Sequence, residues 1–454
     1  MTEQTKAGRA GGSAPTVSPA RLAAFEILRR VEQSGAFASV LLATQAEELQ
    51  PTDRGLCHEL VMGVLRRRLW LDSVIAHYAA RDPQRLDLPV RLALRLGLYQ
   101  LRFLSRVPPS AAVNEAVNLV RRARLRSAEP FVNAILRRAA RESEYDPAAA
   151  ITDPLERLAV ETSHPQWLIR RWADNWGLEQ TASFAQANNE VAPVAFRIVN
   201  ETVNQAEVAD TLESAGAVLL PSLIAPGAWR ITGGAGVLQK LARAGRIYIQ
   251  DEASQLVTHV LGVRPGDRVL DVCAAPGSKT THIADLTRDA GLVVAGDVHE
   301  HRLRTVVAAA GEQNLSNILC VALDALSAMP FPDAAFSRVL VDAPCTGTGT
   351  LRRNPEIRWR ISPADIEDLA GRQIRILLHA ASVVKPGGRL IYSTCSVEPE
   401  ENEQVINKFI EQTRGFEQLA LAINPSLITS SGAARLWPQR DGADGFFVAA
   451  FERQ

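Results

Sequence analysis

The sequence predicts three folded parts in series: an all-α bundle, a small α+β module and an α/β domain built on a doubly wound parallel sheet. Three observations predict them. From Ser18 to about Arg141 apolar residues recur at helical spacing without a strand-like run. The pattern changes near His164, where short apolar runs mix with helical ones. From Ile247 onward short β-branched runs alternate with helical stretches, as in a parallel sheet wrapped by helices. The boundaries read from these shifts are 1–17 for a polar tail, 18–145 for the bundle, 146–163 for a linker, 164–246 for the module and 247–454 for the α/β domain.

With 46% hydrophobic and 22% charged residues, the composition is that of ordinary globular material. The tail Met1–Val17 is rich in Gly, Ala, Ser and Thr and is expected to be disordered; it lacks the apolar core of a signal peptide. No uncharged apolar run approaches the length of a membrane span. The zero net charge hides an asymmetry: Ser18–Tyr145 holds 20 Arg, no Lys and 13 acids, a net +7. Such a segment suits a polyanionic partner, and scattered arginines on solvated helices would give the same count. The five cysteines form no C-x-x-C pair, which argues against structural zinc and for reduced thiols in a cytoplasmic enzyme.

In the bundle, Leu22, Phe25, Ile27, Leu28 and Val31 mark one helix, and the denser Leu92, Leu94, Leu96, Leu98, Leu101 and Leu104 mark a buried one. Asp53, Ser110 and Ser127 are expected N-caps, and Pro108-Pro109 a break. The module opens with a Trp-rich helix (Trp167, Trp172, Trp176), followed by a strand at Val194–Val199, a helix over Gln205–Gly216 and a strand at Val218–Leu220. The α/β domain is expected to place strands at Val269–Val272, Leu292–Ala295, Ile318–Leu323, Val339–Val341 and Leu390–Tyr392. Helices are expected at Lys279–Thr287, Glu300–Glu312 and Ala364–Val384, and a late edge strand at Val448–Phe451.

The chemistry sits where strands end, because strand ends line the crevice of such a sheet. Cys273-Ala274-Ala275-Pro276-Gly277-Ser278-Lys279 joins the first strand to its helix with small residues that let a ligand approach backbone. It is no phosphate loop: that motif needs glycines at Cys273 and Ser278, and Gly277 is the loop's single glycine. Asp297 ends the second strand, Asp324 follows the third and Asp342 ends the fourth. Singly, each acid reads as a turn or cap. Together they describe a nucleoside pocket without a triphosphate cradle, which points to S-adenosylmethionine. Asp342-Ala343-Pro344-Cys345 and Ser393-Thr394-Cys395-Ser396 each close a buried strand, so two thiols and a carboxylate are expected in one pocket. That set suits thiolate attack followed by assisted release; the bland alternative is a pair of buried small hydrophobes.

The run Asp342–Gly349, then Arg352-Arg353-Asn354-Pro355-Glu356, then Ser-Thr-Cys-Ser, resembles the Sun-type RNA cytosine-5 methyltransferases. The first loop, the lead-in Gln250–Gln255 and the closing Asp444-Gly445-Phe446-Phe447 resemble the same family. Pro108–Asn118 and Phe131–Arg138 are similar to the RNA-binding NusB fold. The resemblance implies an all-α NusB-like bundle, an α+β RNA-binding module and a Rossmann-like class I methyltransferase domain. It implies methyl transfer from S-adenosylmethionine to C5 of a cytosine, with 16S ribosomal RNA as partner, no metal, no membrane and a monomer. On it Cys395 is the nucleophile that adds to C6, Asp342 holds the base, Lys279 pairs with Asp342 and Cys345 assists release. Cys273–Lys279, Asp297, Asp324 and Asp342 hold the cofactor. Arg352, Arg353 and Arg358 are expected to contact RNA phosphates, with Trp359 as a stacking face, or else to form a solvated basic loop with a core Trp. Ser278 stands where many members have Gly, and Gln439 and Asp441 where His is expected. Two rivals differ in kind: a DNA cytosine-5 methyltransferase, in which Cys345 would attack, and a non-catalytic RNA-binding factor, which should have lost a site residue.

Overall fold

A computed structural model describes residues 17–46, 48–288 and 291–454. The expected tail 1–17 lies outside them except for Val17. The chain forms two compact units. The described part of one is 17–185 together with Asn354–Trp359; the other is Gln186–Arg353 with Arg360–Gln454.

The first unit is helical. Pro19–Ser34, Ala38–Gln45, Pro51–Arg66, Arg68–Ala79, Leu88–Phe103, Pro109–Arg122 and Glu129–Arg141 enclose one apolar core. Three of these helices start on a proline, whose fixed φ and missing N–H suit the first turn. The expected caps are therefore corrected: Asp53 and Ser110 lie inside the first turn, and Ser127 lies in a short 3-10 turn. Leu88–Phe103 is buried on nearly every side, as its leucine density requires. It carries Arg95 into the core, where Asp72 takes two hydrogen bonds (2.7 and 2.6 Å) and Glu32 one (2.9 Å). A buried guanidinium persists only when paired in this way. Arg122, Arg124, Arg126, Arg137, Arg138 and Arg141 stay exposed.

Two stretches have structure that their sequences left open. The stretch read as a linker contains a helix, Pro154–Thr162, capped by Asp153. The Trp-rich helix Gln166–Trp176 packs in the first unit, because Trp172 is buried against His164, Trp176 and Phe184.

The second unit holds two sheets. β1 (Val194–Ile198), β2 (Val218–Pro221), β3 (Ala228–Thr232) and β4 (Ile247–Ile249) form an antiparallel sheet in the order β2-β3-β1-β4. Ile247, expected to open the α/β domain, instead pairs with Ile198. Helices Glu201–Ser214 and Ala235–Arg243 lie beside this sheet. The larger sheet has β5 (Arg268–Asp271), β6 (Leu292–Asp297), β7 (Ile318–Ala322), β8 (Phe336–Asp342), β9 (Val384–Thr394), β10 (Phe416–Gln418), β11 (Ala434–Leu436) and β12 (Phe446–Arg453). Its order is β10-β12-β9-β8-β5-β6-β7, with β11 on β12. β7, β6, β5, β8 and β9 are parallel. β12 runs antiparallel beside β9 and β10, so it is an interior strand and the expected edge position is corrected. Its reversed direction brings its N-terminal end, at Phe446, to the edge where β8 and β9 finish. Arg197 of β1 joins the two sheets through Asp285, Thr281 and Gln313.

Candidate active site

Strand order reverses between β5 and β8, and a cleft of about 430 Å³ opens outside the carboxyl ends of these strands. This is where an open α/β sheet binds ligands. Of the expected cofactor set, Cys273, Ala275, Asp297, Asp324 and Asp342 line the cleft, together with both motif thiols, Cys345 and Cys395. Ala274 instead packs inward against Leu303 and Val306. Gly277, at φ +109°, caps the helix Ser278–Thr287 in a conformation that favours glycine, with Val306 Cα 3.1 Å from where a Cβ would sit. Pro276 is exposed at this turn, and Ser278 is the first residue of the helix.

The acids have second duties. Asp297 is 5% exposed; its Oδ1 accepts from His299 N at 2.9 Å and its Oδ2 faces Arg302 at 3.2 Å. Asp324 accepts from Leu326 N at 2.9 Å. Burial, reinforced by the nearby Asp271 and Asp342 charges, pushes the Cys273 thiol up and keeps it protonated. Deep under the loop, Asp271 is pushed up to about 7, mainly by burial, although Thr280 Oγ1 donates to it at 2.7 Å.

Around the thiols the geometry is tighter. Lys279 Nζ donates to Asp342 Oδ2 at 2.7 Å, and Ser393 Oγ donates to Asp342 Oδ1 at 2.7 Å. The ammonium also lies 5.0 Å from the centre of the Phe446 ring. Burial alone would lower its pKa, but the Asp342 carboxylate, helped by Cys395 and Asp271, raises it overall and holds it charged. The two thiol sulfurs are 3.2 Å apart. The Cys345 thiol is raised well above its ordinary range, first by its hydrogen bond to Cys395, then by burial and the Glu401 and Asp342 charges. Sequence reasoning missed Ser393, Phe446 and Glu401. Ser393 opens the Ser-Thr-Cys-Ser motif, in which the cysteine alone carries a chemical signal.

The arginines expected on RNA are otherwise engaged. Arg352, 2% exposed, donates to Asp444 at 2.9 Å and to the Gly442 carbonyl at 2.7 Å. Arg353 binds Asp444 and Asp251 at 2.7 and 2.9 Å. Arg358 is 0% exposed and belongs to the helical unit, where it donates to the Ser163 carbonyl at 3.1 Å; burial lowers it to about 9. Arg68 covers the Trp359 ring at 5.1 Å. These side chains build the loop: Arg352 and Arg358 are buried and Arg353 is half-buried. Among the described residues no group of His, Cys, Asp or Glu could hold a metal ion, and no helix is long and apolar enough to cross a membrane.

Known proteins match all three parts of the chain. Residues 258–452 match the family model for 16S rRNA methyltransferase RsmB/F, 18–141 match the NusB family, and 164–238 match an RsmF/B-like, ferredoxin-like domain. A probable ribosomal RNA small subunit methyltransferase B of Bacillus subtilis is 34% identical, covering 95% of this chain and 98% of its own. The chain belongs to the RsmB/F family of methyltransferases. Ribosomal RNA small subunit methyltransferase B of Pseudomonas putida is also 34% identical, over 94% of this chain and 97% of its own. The crystal structure of PH0851 matches with a TM-score of 0.82 at 28% identity, over 97% of this chain and all of that one. A methyltransferase homologue from Pyrococcus horikoshii matches with a TM-score of 0.58 at 28% identity, over 67% of this chain and all of that one. The family expected from the motifs is the family found.

Proposed function

We propose that this protein transfers a methyl group from S-adenosylmethionine to C5 of a cytosine in 16S ribosomal RNA, through a covalent bond between Cys395 and C6. The observation that carries the proposal is the thiol pair, 3.2 Å apart in a cleft that is also lined by Asp297, Asp324, Asp342 and the small residues of the first loop. A cleft of this size suits a nucleoside-sized ligand. Asp297, Asp324 and the backbone of Cys273–Gly277 would hold S-adenosylmethionine, which supplies an electrophilic methyl group. Cytosine C5 is too weak a nucleophile to take it unaided; addition of the Cys395 thiolate at C6 makes the ring enamine-like. Asp342, fixed by Lys279 and Ser393, accepts from the N4 amino group and, once the proton given up by the Cys395 thiol reaches N3, from N3 as well. For release a solvent base takes the C5 proton, the C5–H electron pair forms the C5=C6 bond, and the Cys395–C6 bond breaks with its pair leaving on sulfur. Cys345, kept protonated, donates to the departing Cys395 sulfur. The exposed arginines of the helical unit hold the RNA backbone, and the free thiols suit the reducing cytoplasm.

Mapping 5-methylcytosine in 16S ribosomal RNA from cells with and without the protein tests the substrate. A denaturing gel tests the roles of the thiols. Cys395→Ala should give neither product nor adduct. Cys345→Ala should leave a slow protein–RNA band that nuclease collapses. The DNA-type rival predicts loss of adduct in Cys345→Ala and little effect of Cys395→Ala; a slow band in Cys395→Ala, or its absence from folded Cys345→Ala, would overturn the assignment of the two thiols, and no adduct in either variant would fit a non-catalytic factor.

A further inference from the structure

The two thiols are held by different means. Cys395 follows directly on β9, which is paired with β8 on one side and β12 on the other, and its own carbonyl accepts from Gly349 N at 2.9 Å. Cys345 lies in an irregular loop. The residues before and after it are tied to two buried side chains. Gln373 Nε2 donates to the Pro344 carbonyl at 2.9 Å, and the Glu401 carboxylate accepts from Thr346 N at 2.9 Å and from the Thr346 hydroxyl. Gln373 also donates to Glu401 at 3.0 Å, and Ser396 Oγ, from the residue after Cys395, donates to the other carboxylate oxygen.

Glu401 and Gln373 are both 0% exposed, and no cation pairs with Glu401 among the described residues. A buried carboxylate without a counter-ion is destabilising compared with a neutral group of the same shape. Its presence at the junction of the two cysteine loops therefore calls for a task. We propose that Glu401 and Gln373 are positioning residues that hold the Cys345 loop so that its thiol stays in contact with the Cys395 sulfur. The proposal rests on the covalent reading above and assigns these residues to the release half of the reaction.

The test uses the full-length protein with S-adenosylmethionine and its RNA. Glu401→Ala should bind S-adenosylmethionine with unchanged affinity and still form the adduct. Turnover should fall about a hundredfold, the usual result of a misplacement near 1 Å, and adduct should accumulate as in Cys345→Ala. Glu401→Gln should restore turnover to within about threefold. Its amide oxygen can take the Thr346 N–H and Gln373 bonds, and its NH₂ can donate to the two hydroxyls. A merely structural role would lower cofactor binding and adduct together. If Glu401→Ala does not fold, Gln373→Ala, which removes the tether to Pro344, must show the same accumulation. Wild-type turnover in the folded variant, or no adduct in it while Cys345→Ala has one, overturns this proposal alone. No adduct in Cys345→Ala itself overturns the reading of Cys345 and the proposal with it.

Discussion

The two sides of the cleft are built differently. On the side of β5, β6 and β7, the groups facing the cavity are single side chains and loop backbone. Asp297 and Asp324 each also cap a local turn. On the side of β8 and β9, nearly every polar group around the thiols is tied to a residue about fifty positions away: Asp342 to Ser393, Thr346 to Glu401, Cys345 to Cys395. The first side can give up one hydrogen bond and keep its shape. The second is a closed network in which one broken bond should reach the chemistry, because a partly satisfied buried network is weaker than none. Binding should thus degrade in steps on one side, and catalysis should collapse on the other.

The sharpest test of that contrast is Lys279→Met. It removes the charge that holds Asp342 and should lower turnover about 10²–10³-fold, with little change in S-adenosylmethionine affinity by calorimetry. Equal decreases in both would erase the distinction between the sides.

Asp271, under the cofactor side, gives a pH test. Its folded pKa of about 7 lies above the ordinary carboxyl value of 3.8, so the folded state holds its proton more tightly. The resulting stabilisation is complete below about pH 4 and is lost as pH rises toward 7. Denaturant titrations should show the wild type losing about 3 kcal/mol relative to Asp271→Asn across that window. A pH-independent difference would mean that Asp271 is not buried in its charged form.

Smaller still, Asp297→Ala should weaken S-adenosylmethionine binding by about 1–3 kcal/mol without forming or removing an adduct. Disappearance of the adduct would show that the two sides are coupled. The smallest expected effect lies away from the cleft. Replacing Arg122, Arg124 and Arg126 by Gln should flatten the salt dependence of RNA binding, by about one unit of slope for each phosphate no longer neutralised. An unchanged slope would remove this face from RNA binding.

Much of this was legible in the sequence because it is local. The alternation of strand and helix, the small-residue loop after β5 and the two cysteine motifs are each carried by a few adjacent residues. What was not legible depended on distant partners. A strand's neighbours are not written in its own residues, so Val448–Phe451 reads as an edge although the strand that contains it, Phe446–Arg453, lies inside the sheet. Arg352-Arg353 reads as a basic patch until Asp444 and Asp251, roughly a hundred residues to either side, are seen to neutralise it. The packing of Trp172 against Phe184 is not legible either, because aromatic spacing names a buried helix face but not what covers it. Glu401 sits in an acidic run, Glu398–Glu403, that resembles a solvated surface.

Gly349 and Gly445 lie where these distant segments meet. Their backbones approach so closely that a methyl group on Gly349 would lie 2.1 Å from the Gly445 carbonyl oxygen, and Gly445 N donates to the Gly349 carbonyl at 2.8 Å. Just beside them, Asp444 gathers Arg352 and Arg353, and Arg353 also reaches Asp251. The lead-in, the Pro-Cys loop and the closing strand are thus three stretches of chain but a single mechanical part. A protein engineer could not graft one of them into another scaffold, or swap one between relatives, and expect it to keep its shape; the three would have to travel together.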